Sequence, residues 1–196
     1  MPGLGRRFVP LLVLTGLLVS TAAVAVTLER FTLDKMCGRA EKIFRGTVLT
    51  AVPSHMDVGA GVIPTMLYTV RVDEAFKGHF EETKGVRLVE IRMLGKSAPT
   101  RHGDAVRFPA LPELPSLSVG SDYLLFSSPA SKIGLSATIG LGQGCFEILE
   151  KDGIAHAVNG FDNAGLFSAE KSALVPTEGP VPYTFIADQI RSELGR

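Results

Sequence analysis

The sequence predicts a mainly β fold: a small five- to six-stranded antiparallel OB-like barrel with a short N-terminal helix and a C-terminal helix. Three observations carry this expectation. Short segments between residues 43 and 158 alternate apolar and polar side chains with a period of two, as half-buried strands do. Turn residues (Gly, Pro, Asn, Asp) punctuate them, and helical spacing of apolar residues appears only near the two ends of the mature chain. Short antiparallel strands with one apolar face bury that face by closing into a barrel or packing as a sandwich.

The chain opens with three parts in a fixed order. Arg6 and Arg7 give a positive start, Phe8 to Ala22 is mostly apolar, and Ala23-Val24-Ala25 supplies small residues. That is the layout of a secretory signal peptide with an A-x-A cleavage site, so residues 1–25 are expected to be removed and Val26 to begin the mature chain. The alternative is an uncleaved anchor, since the run approaches the roughly 18 residues of a spanning helix. Pro10, Thr15, Gly16 and Ser20 interrupt it, which favours cleavage. Residues 26–196 then form one domain, exported to the periplasm, cell surface or medium.

Thr32 is placed to cap a helix, with Asp34 at its positive end and Phe31 and Met36 as a hydrophobic staple. Leu33, Met36, Cys37, Ala40 and Ile43 or Phe44 share its apolar face. Strand-like segments follow. Ile43 to Val52 ends at Pro53, and His55 to Pro64 reads as a loop. Met66 to Phe76 and Val86 to Leu94 alternate. Residues 95–120 hold four prolines and read as a long surface loop. Asp122 to Ser127 is short and apolar. Gly144 to Glu150 and Ile154 to Val158 flank Lys151-Asp152-Gly153, a strong hairpin signal. At the end, Ile186, Ile190 and Leu194 form a helical stripe.

Loss of Arg6 and Arg7 leaves 18 basic against 20 acidic side chains, a net charge of about −2. This balance argues against nucleic acid, whose binding rests on clustered Lys and Arg. No second apolar stretch spans a bilayer, so no membrane span is expected after cleavage. The two cysteines, Cys37 and Cys145, read first as a disulfide in an oxidising compartment. Closing a loop of about 108 residues would stabilise by roughly 4–5 kcal/mol in the chain-entropy model. The alternative is two separate buried thiols.

No catalytic residues, metal ligands or cofactor emerge. His55, His79, His102 and His156 show no local metal-ligand spacing. No G-x-S-x-G elbow occurs. Gly140-Leu141-Gly142-Gln143-Gly144 opens a strand rather than a helix, so it reads as a flexible turn and not a phosphate cradle. Asp73, Glu74, Glu81 and Glu82 cluster beside a turn, where charges usually form a solvated face. Arg101, His102 and Asp104 in the long loop are the candidate partner contact, because binding residues favour loops on a rigid scaffold.

Four segments carry a resemblance. They are Met36-Cys37…Ala40…Ile43-Phe44-Arg45-Gly46-Thr47-Val48, Tyr68 to Gly78, Val119 to Phe126, and Gly142-Gln143-Gly144-Cys145-Phe146. In this order they resemble exported bacterial proteins with a netrin-like, tissue-inhibitor-of-metalloproteinases-like OB fold. The resemblance implies the barrel, with the first helix packed on it. The animal inhibitors of similar fold place an N-terminal cysteine on their target's zinc. Here Val26 would be the terminus and the first cysteine stands eleven residues further on, so the chelating group is absent.

The leading expectation is a non-enzymatic exported binding module that contacts a protein or envelope component through the barrel rim or the long loop. A metallopeptidase inhibitor by fold analogy is the second expectation. An enzyme with a site assembled from distant residues is the third.

Overall fold

The computed structural model describes residues 29–59, 61–95, 114–168 and 178–196. Helix α1 is Leu33–Arg39, and strands β1 (Lys42–Asp57), β2 (Val62–Lys77), β3 (Glu82–Thr83) and β4 (Val86–Leu94) follow. Then come β5 (Asp122–Ser127), a 3-10 turn at Leu141–Gly144, β6 (Cys145–Lys151), β7 (Ile154–Asn159), β8 (Val181–Pro182) and helix α2 (Tyr183–Glu193). The strands form one antiparallel sheet in the order β3-β4-β2-β1-β5-β6-β7-β8. Strands β1, β2 and β4 follow one another, and β5 returns to the far side of β1. That is a Greek-key step.

The expected closed barrel of five or six strands is thereby corrected to an open sheet of eight. Strands β3 and β8 have two residues each, too few to show any periodicity. Among the described residues no ladder joins β4 to β6. The Ser136 N–H does donate to the Arg92 carbonyl at 2.8 Å, bringing the chain after β5 against β4.

Curvature comes from β1. Its register with β2 shifts between Ile43 and Phe44, Arg45 and Gly46, and Val48 and Thr50. Such bulges bend a strand and increase its twist. At Gly46 the backbones approach so closely that an added Cβ would lie 2.1 Å from the Arg71 carbonyl oxygen. The expected stop at Pro53 does not occur, and β1 runs on to Asp57. Strand β5 pairs with β1 only over Lys42–Thr47, so beyond that point β1 has one unpaired edge. A proline lacking an N–H is tolerated on such an edge.

Alternation sorts the core into two clusters. Ile43, Phe76, Leu124, Phe126, Phe146 and Ala157 pack under α1 and α2. Phe44, Val48, Val70, Val89, Ile91, Tyr123, Leu125 and Cys145 pack on the other face. Strand β5 is buried on both sides. Among the described residues no helix covers the second face; the curled sheet and Leu117 cover it.

The expected Cys37–Cys145 disulfide is not formed. Both thiols are buried, Cys37 on α1 within the helix-side cluster and Cys145 within the cluster of the opposite face. A disulfide needs Cβ atoms about 3.5–4.5 Å apart, a distance not reached between a thiol on a helix over one face of the sheet and a thiol packed on the other face.

Two polar networks fix the ends. Gln143 Oε1 accepts from the Phe31 N–H at 2.8 Å, and its Nε2 donates to the Glu29 carbonyl at 2.9 Å. The Asn159 amide donates to the Gln143 carbonyl, and Asn163 spans to the carbonyls of Ala157 and Gly179. At the other end, the Tyr183 hydroxyl and Arg191 both donate to Glu74. Arg45 stacks 4.4 Å over the Tyr183 ring and pairs with Asp122 at 2.6 Å. Burial, then the Glu74 carboxylate, push the Tyr183 phenol pKa up, so the hydroxyl stays a donor. Thr32 is the N-cap of α1 as expected, and its carbonyl accepts from the Met36 N–H at 3.0 Å, yet its side chain makes no cap bond to the helix backbone. Its side chain bonds Asp34 instead and holds that carboxyl below its ordinary range.

Among the described residues, no helix is long and apolar enough to cross a membrane.

Candidate functional site

The cleft with a single sign of charge is built by strand register. Tyr123 pairs directly with Glu147, and Glu147 with Val158. Directly paired residues of antiparallel strands share a face. The three therefore form a row across β5, β6 and β7. Cys145, two residues before Glu147, lies on the same face. Leu114, Pro115 and Ser116 make one wall of the cleft, and Asn159, Gly160 and Phe161 another. The volume is about 360 Å³. That lies within the range of small-ligand and side-chain sites.

The first wall is pinned by two tyrosines. The Tyr68 hydroxyl accepts from the Leu117 N–H at 3.3 Å, and the Tyr123 hydroxyl accepts from the Ser118 N–H at 3.1 Å. The Gly120 N–H then donates to the Val48 carbonyl at 2.8 Å, which seats the chain beside β1. The end of the long 95–120 loop is thus fixed to the sheet where it forms the wall.

Cys145 sits at the base of the cleft, 8% exposed. Burial, with the nearby Glu147 charge, pushes its thiol from an ordinary 9.0 up to about 12. The thiolate is the nucleophilic form, so this thiol is held inert near neutral pH. Cys37 is 3% exposed on the inward face of α1, so its sulfur faces the core and not a target's zinc.

The candidate contact Arg101, His102 and Asp104 lies outside the described residues, as does the rest of 96–113. The other candidates scatter. His55 lies on the exposed half of β1, His79 in the turn before β3, and His156 on β7, with its Nδ1 2.9 Å from the Ile154 carbonyl. Asp73 is engaged by Arg71 and Thr47, and Glu74 by Arg191 and Tyr183. Among the described residues no group of three or more His, Cys, Asp or Glu could hold a metal ion. A larger cavity of about 590 Å³ lies between the 79–83 turn and β4. Its lining mixes Glu41, Glu81 and Glu90 with Lys42 and His79.

Tyr123, Glu147 and Gln143 are the functional and positioning residues that sequence reasoning passed over. Register between distant strands brings Tyr123 and Glu147 together, and nothing local announces it. The Gly140–Gly144 run did signal a special backbone, since Gly140 adopts φ +61°. Its buried glutamine is what gives the run a structural task.

No family model matches the chain, and no curated protein matches it.

Proposed function

We propose that this protein is an exported, non-enzymatic binding module whose open, curled sheet is a variant of the OB-like, netrin-like fold, and that the rim cleft receives a protein or envelope component. The observation that carries the reading is the cleft itself. It has a floor of paired strands, a wall held by two tyrosine hydroxyls, and a thiol kept neutral at its base. A preformed site on rigid strands loses little entropy when it binds.

Support for the OB-like kinship of the open sheet comes from the Greek-key order β5-β1-β2-β4, the bulged β1 and the approach of Ser136 to Arg92. Support for export comes from the three-part N-terminus. The inhibitor reading finds no favouring observation, because Cys37 faces the core.

The test is affinity capture of envelope proteins by the mature chain and by a Gly160→Phe variant. A Cβ at position 160 meets only Gly142, at 3.6 Å or more, so the fold accepts a side chain there that occupies the cleft. A partner captured by the native chain and lost with Gly160→Phe is the expected result. A partner retained equally by the variant contradicts the cleft as the site.

A further inference from the structure

Three carboxylates on β1's neighbours β2 and β5 have cationic partners. Asp122 pairs with Arg45, Asp73 with Arg71, and Glu74 with Arg191. Glu147 differs: among the described residues no cation lies within ion-pair distance of it. Among the described residues that line the cleft it is the only charged side chain, with no Lys, Arg or His beside it. Its charge reaches the base of the cleft, where it acts on the Cys145 thiol.

What surrounds Glu147 is suited to one kind of group. Phe161, half-buried beside the cleft, offers an aromatic ring, whose face attracts cations. Leu114, Pro115 and Val158 offer apolar surface for a methylene stem, the way basic side chains bury their length and keep their charge at a polar group. An anionic guest would meet Glu147 with no compensating cation. A neutral apolar guest would leave the carboxylate partly desolvated and unpaired, which costs free energy.

We infer that the rim cleft binds the basic side chain of a protein partner, lysine or arginine, with Glu147 as its counter-charge and Phe161 flanking its stem. The inference rests on the cleft being the binding site. Glu147 is exposed and makes no internal bond among the described residues, so replacing it leaves the fold intact.

The experiment titrates the mature protein with three short peptides, carrying at their centre lysine, arginine or Nε-acetyl-lysine. Amide shifts of Val158, Gly160 and Phe161 are read by NMR. Saturable shifts with the two basic peptides are expected, with affinity at least about tenfold weaker for the acetylated peptide and for Glu147→Gln, the equivalent of about 1.4 kcal/mol. Added salt should weaken the basic peptides, since partly exposed charges are screened. Equal binding of the acetylated peptide, equal binding by Glu147→Gln, or no shift with any peptide overturns the inference. A partner captured at the cleft that ignores Glu147→Gln overturns this inference alone, whereas capture unaffected by Gly160→Phe removes the cleft reading beneath it.

Discussion

Cys145 and Phe146 are neighbours in β6 and leave the sheet on opposite sides, into surroundings of different kinds. Phe146 is fully buried under the helices, tilted against Phe126 with ring centroids 5.7 Å apart. Cys145 belongs to the face that the curled sheet covers by itself, and the cleft opens beside it. The helix-covered face is sealed by α1, α2 and the two polar networks at their ends. Among the described residues the other face is covered by the curled sheet and Leu117, and where that cover stops it leaves a lined depression. One face supplies stability; the other carries the cleft of the proposed function.

The largest effect that sharpens this contrast is Phe146→Ala. Emptying a fully buried phenylalanine site costs about 3–5 kcal/mol, measured as the loss of unfolding free energy in urea. An effect below about 1 kcal/mol would mean that the helix side is loosely packed. Next comes Gly46→Ala, which attacks curvature instead of burial. The added methyl would sit 2.1 Å from a carbonyl oxygen, so β1 or β2 must shift, at a cost of about 1–3 kcal/mol or more. Thermal melts would show it, and an unchanged midpoint would contradict the close approach.

The smallest effect is a pH slope confined to the curled face. The native Cys145 thiol holds its proton up to about 12, while an unfolded thiol releases it near 9.0. Between those values the unfolded chain binds fewer protons than the native one, so stability falls as pH rises through that window. Below it, the group contributes no pH dependence. Cys145→Ala should flatten the slope of unfolding free energy between pH 9 and 11, while Phe146→Ala should lower stability at every pH and leave the slope alone. An unchanged slope in Cys145→Ala would contradict the burial of the thiol.

Much of this architecture was legible in local pattern. Strands β4 and β5 coincide with the segments that alternation and apolar content marked out, Val86–Leu94 and Asp122–Ser127. The Asp152-Gly153 turn adopts positive φ at both residues, 54° and 73°, as a tight hairpin requires. What was hidden depends on distant pairing. Pro53 reads as a strand end because its neighbourhood cannot reveal that β5 has already stopped pairing there. The disulfide reading failed for a related reason: the even count of cysteines says nothing about which face of the sheet each one leaves. The cleft was legible only as a region, the loop of 95–120, since Tyr123, Glu147 and Val158 meet through ladders that join residues 24 and 11 positions apart.

The most direct measurement places a photo-crosslinking residue at Ser116, exposed on the cleft wall, and separately at Ser192, exposed on α2. Both proteins are exported and illuminated in intact envelopes. Adducts at position 116 and none at 192 are the expected result. Adducts only at 192, or equal adducts at both, would contradict the assignment of binding to the curled face.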